Sequence, residues 1–166
     1  MYLLSLYRNK MPVVLKGGLP LAHVMDVAAG HVLAMENAEP GSRYILSGKE
    51  EDNRYLKDMC RIICEALQSK FPNKKFRPPQ LEIPESPAIA VAFITEQFAK
   101  LFDRPMLLSC GAVRAGSYPS FYTSRKAQSE LGYTPRYSFR QAMEEMISYY
   151  ESHGLMGREG RWIDRR

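Results

Sequence analysis

Apolar residues recur at helical spacing over residues 56–67, and this pattern constrains the fold more than any other feature of the sequence. Steps of three and four residues place the apolar side chains on one face of an α-helix, which must pack against other apolar elements. The sequence therefore predicts a helix-rich domain with this helix at its core and with Asp52 or Asn53 as the N-cap. The stripe consists of Leu56, Met59, Cys60, Ile63, Ala66 and Leu67.

A second helix and a strand are predicted before this stripe. Asp26 precedes an apolar periodic segment and is predicted to be the N-cap of a helix over 26–37. Val27, Ala28, Val32 and Met35 would form its buried face. Pro40 and Gly41 would end the helix, and the β-prone residues at 43–47 then predict a short strand.

The second half of the sequence predicts three more helices. Pro84 is predicted to begin a helix that runs through about Phe102 and is apolar around most of its circumference, so it should be buried or face a partner. Ser124 is predicted to cap the next helix, which Gly132 would end. Ser138 and Gln141 form a capping box for the last helix, whose predicted inward residues are Phe139, Ala142, Met143, Met146 and Tyr150.

Composition excludes several classes of partner. The 23 basic and 18 acidic residues give a net charge of +5, but the excess is concentrated in an arginine-rich tail at 157–166 and no basic helix or binding motif accompanies it. We therefore expect no nucleic-acid partner. Because no apolar run approaches the ~20 residues needed to cross a bilayer, we expect no membrane partner either. Three cysteines without a secretion signal predict a cytoplasmic location.

Two of the cysteines, Cys60 and Cys64, lie one helical turn apart. A metal site would need two further ligands, and no His or Cys stands at a supporting spacing nearby. Free cysteine is readily buried, so we interpret both as core residues and expect no metal.

The common phosphate-binding and hydrolase motifs are absent from the sequence. It contains no GxGxxG, GxxxxGK[ST], HExxH or GxSxG pattern, and the pair Gly17-Gly18 precedes Leu-Pro instead of a helix N-terminus. A dinucleotide site needs such an N-terminus after its glycines. We therefore expect no cofactor-binding residues in this chain.

One segment resembles a known family. Residues 21–35, LAHVMDVAAGHVLAM, are similar to the segment of extended short-chain dehydrogenases/reductases where the chain leaves the substrate pocket and returns to the cofactor sheet. GSRYILSG resembles the last sheet strand of that family, and FYTSRKAQSELGYTPRYSFRQAMEEMISYY resembles its C-terminal region. The similarity extends from Met11 to Tyr150. The sequence resembles the C-terminal half of a member of the NAD-dependent epimerase/dehydratase superfamily. It is most similar to the dihydroflavonol-reductase-like and sugar-epimerase-like members.

The resemblance implies a fold and a function. The fold would be α/β: the helix-rich, C-terminal substrate-binding portion of a Rossmann-type enzyme, lacking the N-terminal cofactor-binding half. Residues 1–156 would form this portion, with 26–47 completing the cofactor sheet, and 157–166 would be a basic tail. The complete enzyme would use NAD(P) to act on a carbonyl or alcohol carbon of a small molecule, whereas this chain alone would bind no cofactor and would not be catalytic.

An alternative keeps the fold and changes the role. The chain would then be a noncatalytic protein-interaction module, completed by oligomerisation or by a partner. Either a cofactor-binding half or a second copy would cover the strand at 43–47, because an unpaired strand exposes backbone groups that favour association.

The departures from the family bear on the substrate. The family's epimerases carry an Arg-Asp pair before the matching string, where this chain has Leu19 and Pro20. Without a partner for phosphate, a phosphate-free substrate is expected, with Leu19, Leu21 and His23 at the pocket edge. The alternative is that His23 is a packing histidine with satisfied hydrogen bonds and that Asp26 is simply an N-cap.

A YxxxK pattern occurs at Tyr122 and Lys126, with Ser109 upstream. The spacing is close to that of the family's active site, where Tyr122 would be the acid/base, Lys126 would lower its pKa and Ser109 would orient a carbonyl. The family's own pair belongs to the preceding half, and the segment around Tyr122 matches the C-terminal region instead. We interpret the pattern as a coincidence and assign no catalytic residues.

Overall fold

The computed structural model describes residues 2–102 and 109–156, with the side chains of residues 100 and 101 excepted. Helices dominate this part of the chain, and the strands are short, as the sequence predicts. The elements are α1 (Tyr2–Tyr7), β1 (Val13–Leu15), β2 (Gly18–Leu19), α2 (Val24–Asn37), β3 (Arg54–Tyr55), α3 (Leu56–Lys70), β4 (Leu81–Ile83), α4 (Glu85–Leu101), α5 (Cys110–Gly116), α6 (Arg125–Leu131) and α7 (Phe139–Ser152).

The strands form two small pairs. β1 runs parallel to β4, with Val13 opposite Leu81 and Leu15 opposite Ile83. β2 runs antiparallel to β3, with Gly18 opposite Tyr55. These pairs connect the helices to one another and do not form a continuous sheet within the described residues.

The main core forms around α3. All six predicted stripe positions are buried, together with Cys64, and they pack against α7 and α1. The prediction of the stripe is thus confirmed. The predicted caps are wrong: Tyr55 is the N-cap, and Asp52 lies in a 3-10 turn at Glu50–Asp52. Asp52 is buried, and its carboxylate accepts the Phe139 N–H at 2.9 Å. This hydrogen bond satisfies the buried carboxylate and holds the start of α7.

Helix α2 differs from its prediction in both cap and orientation. It begins at Val24 with His23 as N-cap, so Asp26 lies inside the first turn. Val32 and Met35 are 50% and 80% exposed, and the face that points inward is the one with Gly30. A Cβ on Gly30 would lie 2.7 Å from a Leu46 methyl carbon, so the helix places its smallest residue where the neighbouring chain is closest.

The predicted strand at 43–47 is not formed. The segment has no regular secondary structure, and no described segment pairs with it as a strand. It is held by the cluster around Tyr133, whose hydroxyl donates to the Ser47 carbonyl oxygen at 2.9 Å. A β-prone sequence becomes a strand only where a second strand supplies backbone hydrogen bonds, and no segment of the described residues does so here.

The bounds of the remaining helices follow their predictions, although most of the large apolar residues of α4 are exposed instead of buried. α4 begins after Pro84, and α6 begins after Ser124 and ends at Gly132, which has a left-handed φ of 69°. The capping box of Ser138 and Gln141 at α7 is present. Within α7, Ile147 is buried and Met146 is 37% exposed, which reverses the prediction for Met146.

None of the described helices is long and apolar enough to cross a bilayer. The arginine-rich tail at 157–166 lies outside the described residues.

Candidate functional site

A cleft of about 530 Å³ opens between the start of α2 and the inner side of α7. Most of its lining side chains are apolar or aromatic, and the polar groups are few. Its lining residues are Leu21, Ala22, His23, Val24, Tyr137, Ser138, Phe139, Ala142, Met143, Glu145, Met146 and Tyr149. Leu21 and three of the α7 residues also line a smaller apolar pocket of about 160 Å³ beside α3.

His23 is held on both ring nitrogens. Its Nδ1 accepts the Met25 N–H at 3.2 Å, so the proton of the neutral ring is on Nε2, which donates to a carboxylate oxygen of Glu145 at 2.9 Å. The ring also stacks on Tyr137 with a centroid distance of 4.1 Å. His23 therefore has a structural role as the N-cap of α2, and it also forms one edge of the cleft.

Asp26 links α2 to the start of α7. It is buried, and its two carboxylate oxygens accept the N–H groups of Arg136 and Tyr137 at 3.0 and 3.1 Å. The hypothesis that Asp26 is simply an N-cap is thus wrong, because its hydrogen bonds are to a distant segment. This contact places Tyr137, and with it one aromatic wall, in the cleft.

The other predicted pocket residues lie in different places. Leu21 lines the cleft as expected, whereas Leu19 lies in β2, is 37% exposed and is not part of the lining. The assignment of Leu19, Leu21 and His23 to substrate remains a prediction. Tyr137 and Glu145 were missed: the sequence offers Glu145 only as a polar residue beside an apolar stripe, and nothing local marks its pairing with His23.

The YxxxK residues have separate surroundings. Ser109 caps α5 by accepting the Ala112 N–H at 3.1 Å. Tyr122 is 51% exposed, and its carbonyl oxygen accepts from the Asn53 side chain. Lys126 donates to the Arg43 carbonyl oxygen and lies over the Tyr44 ring. No hydrogen bond within the described part of the chain joins these three side chains.

Gly17 and the N-terminus of α2 do not fit the phosphates of a dinucleotide. Gly17 is used in internal packing, since a Cβ there would lie 1.9 Å from the carbonyl oxygen of Gly116. At the N-terminus of α2, the His23 side chain already caps the helix and the Asp26 carboxylate lies in the first turn, where it would repel a pyrophosphate. We therefore assign no hydride-transfer step to these residues.

The cysteines pack in the interior. Burial raises the pKa of Cys60 to about 12 and that of Cys64 to about 11, so both remain thiols near neutral pH. Within residues 2–102 and 109–156, no group of three or more His, Cys, Asp or Glu side chains could hold a metal ion. Cys110 is partly buried at the start of α5.

This difference in burial predicts an order of alkylation. At pH 8, iodoacetamide should modify Cys110 first and should reach Cys60 and Cys64 only as the chain unfolds, because the thiolate is the reactive form and needs access. Mass spectrometry of timed samples would measure this order. A Cys110→Ser variant should remain unmodified over the same period, and rapid labelling of Cys60 in that variant would contradict the burial.

Known proteins are similar to this chain over part of their length. A protein of Synechocystis named as a dihydroflavonol 4-reductase is 27% identical over 158 residues, which are 93% of this chain and 43% of that protein. A Mycobacterium tuberculosis protein named 3 beta-hydroxysteroid dehydrogenase/Delta 5-->4-isomerase is 26% identical over 80% of this chain and 33% of its own length. The chain thus spans less than half of the relatives that it matches. No protein-family model matches it.

Solved structures show the same partial correspondence. The crystal structure of gox2253 superposes with a TM-score of 0.69 at 31% identity, over 93% of this chain and 43% of that one. A nucleoside-diphosphate-sugar epimerase from Pseudomonas aeruginosa superposes with a TM-score of 0.66 at 21% identity, over 93% of this chain and 42% of that one. The second match supports the fold alone.

Proposed function

We propose that the chain supplies substrate-binding residues of an NAD(P)-dependent reductase or epimerase. Its sequence resembles the C-terminal half of an extended short-chain dehydrogenase/reductase of the NAD-dependent epimerase/dehydratase superfamily, and it matches part of a protein named as a dihydroflavonol 4-reductase and part of gox2253. The substrate would react at a carbonyl or alcohol carbon. The observation that carries this proposal is the cleft between α2 and α7, whose volume of about 530 Å³ is that of a small-molecule pocket.

The lining of the cleft favours a phosphate-free substrate. Among residues 2–102 and 109–156, no lysine or arginine lines it, and the carboxylate of Glu145 is the one acidic group in its lining. A phosphate group would meet that negative charge without a cationic partner. The two relatives named above are a dihydroflavonol reductase and a hydroxysteroid dehydrogenase, whose names indicate hydroxyl or carbonyl compounds.

Three side chains would have roles in holding such a compound. The aromatic rings of Tyr137 and Tyr149 offer surfaces for an apolar ring system, and Glu145 accepts from His23 through one carboxylate oxygen. Its second oxygen would accept from a substrate hydroxyl. In the complete enzyme, NAD(P) would supply or accept the hydride.

Calorimetric titration of the chain tests this proposal. We expect a dihydroflavonol or a 3 beta-hydroxysteroid to bind and UDP-galactose not to bind. Tyr137→Ala should weaken binding by about three- to tenfold, since an aromatic ring contact contributes roughly 0.5–1.5 kcal/mol. Tyr122→Ala, an exposed tyrosine outside the cleft, is the matched control. The assignment would be contradicted if only UDP-galactose bound. It would also be contradicted if Tyr122→Ala lost affinity for the ligand and Tyr137→Ala did not.

A second candidate, the noncatalytic interaction module, is favoured by a different observation. The α2 outer face, which consists of Val24, Met25, Val32 and Met35, is 50–80% exposed and lies on the helix before the unpaired segment 43–47. Either a cofactor-binding half or a second copy would cover it. NADH titration followed by fluorescence separates the two candidates. The enzyme is supported if the fluorescence responds only after a relative's cofactor-binding half is added. The interaction module is supported if a stable complex forms without any response to NADH.

A further inference from the structure

Helix α4 turns its small residues inward and its large ones outward. Ala88 and Ala92 are 7% and 0% exposed and pack against Val113 of α5. The opposite side carries an apolar stripe at helical spacing, flanked by Phe93, and each of these side chains is 54–62% exposed. We define the α4 outer face as Val91, Phe93, Ile94, Phe98 and Phe102.

The α4 outer face is uncharged. The two described acidic side chains of α4 are directed toward α5: the carboxylate of Glu85 accepts from Tyr118 and pairs with Arg114, and that of Glu96 accepts the Cys110 N–H at 3.5 Å. This leaves an aromatic and aliphatic surface with no charge among its five members. Two such surfaces can meet without like-charge repulsion.

The size of the α4 outer face fits a protein contact. At the exposures given, its five side chains present roughly 600 Å² of apolar surface. This is at the upper end of the roughly 300–600 Å² found for the largest patch on a typical monomer, and such patches often mark interaction sites. Two copies packed through this face would bury at most roughly 1,200 Å² from these side chains, which reaches the lower end of specific interfaces.

A lipid surface fits the α4 outer face less well. Helices that lie on membranes combine an apolar face with lysine and arginine on their polar side, which attract anionic lipids. The described charges of α4 are acidic, and Arg114 of the neighbouring α5 is already paired with Glu85. Self-association needs no such charge.

We propose that the α4 outer face is the contact between two copies of this chain, related by a two-fold axis that brings the same residues of each copy together. Phe98 lies within the apolar stripe, and its ring stacks on that of Phe102 at a centroid distance of 6.2 Å. Aromatic residues, phenylalanine among them, are enriched at the cores of protein interfaces. The proposal goes beyond the substrate-binding role and is independent of it, because the cleft lies on α2 and α7.

Sedimentation velocity over a concentration series tests the dimer. We expect the chain to dimerise at micromolar concentration, and Phe98→Asp to raise the dissociation constant by at least about thirtyfold, as loss of an interface hot spot does. Tyr122→Asp is the matched control: it adds the same charge at an exposed aromatic residue outside the cleft and outside both outer faces, and it should leave the dimer intact. Met35→Asp, on the α2 outer face, tests the competing contact of the second candidate function. Because all three side chains are exposed, circular dichroism should show that the variants remain folded.

Three outcomes would overturn the proposal. One is a chain that stays monomeric at high micromolar concentration. Another is a dimer that Met35→Asp dissociates and Phe98→Asp does not, which would place the contact on α2. The third is a monomer that floats with vesicles of phosphatidylcholine and phosphatidylglycerol and loses this binding in Phe98→Asp, which would make the α4 outer face a lipid-binding surface.

Discussion

Replacing Gly17 with alanine is expected to lower the free energy of unfolding by about 4 kcal/mol, a loss at the upper end for single substitutions. The cause is steric: the new Cβ would lie 1.9 Å from the carbonyl oxygen of Gly116 and 2.9 Å from its carbonyl carbon. Both are backbone atoms, so no rotamer change can relieve the overlap. The chain at Gly17 or the end of α5 must move instead.

Urea denaturation followed by circular dichroism would measure this effect. Gly111→Ala is the matched control, since it makes the same change in α5 where the nearest heavy atom would be 4.0 Å away. It should be neutral or should stabilise the protein by up to about 1 kcal/mol, because alanine is the better helix former. Equal stability of the two variants would show that Gly17 does not pack against α5 as closely as described.

Replacing Asp26 with alanine is expected to destabilise the protein by about 3 kcal/mol, because hydrogen bonds to a charged group contribute about 1.5–3 kcal/mol each. The substitution removes the acceptor for the N–H groups of Arg136 and Tyr137. It leaves both N–H groups without their partner at a partly buried position. The start of α7 would also lose a tether, and the Tyr137 wall of the cleft would move with it.

Two further variants make this prediction specific. Asp26→Asn keeps one oxygen acceptor and should lose roughly half as much stability. Glu144→Ala removes an exposed carboxylate paired with Arg140 and should change stability by no more than about 0.5 kcal/mol. If Asp26→Ala lowered the free energy of unfolding no more than Glu144→Ala in the same denaturation experiment, the contact between α2 and the start of α7 would contribute little to stability.

Features that depend on local sequence could be predicted. The α3 stripe, the capping box at Ser138 and the glycine end of α6 each follow from spacing within a few residues, and each is present. Side-chain spacing and helix capping depend only on residues within one helix, so the local sequence is enough to predict them.

Features that depend on distant neighbours could not be predicted. An aspartate before an apolar stretch looks like an N-cap. Asp26 instead accepts hydrogen bonds from Arg136 and Tyr137, which lie more than 100 positions later in the sequence. The rotation of α2 follows from the close approach of Leu46 to Gly30, and segment 43–47 lacks the partner that would make it a strand. The pairing of His23 with Glu145, and hence the cleft, is equally non-local.

The two buried aspartates also have a consequence for the folding pathway. Asp26 and Asp52 both accept N–H groups from one short segment, residues 136–139. Closing loops of this length is entropically costly, and contacts between residues far apart in sequence slow folding. During synthesis the acceptors emerge from the ribosome long before their donors do. The helices that they join can therefore reach their final arrangement only after nearly all of the described chain has been made.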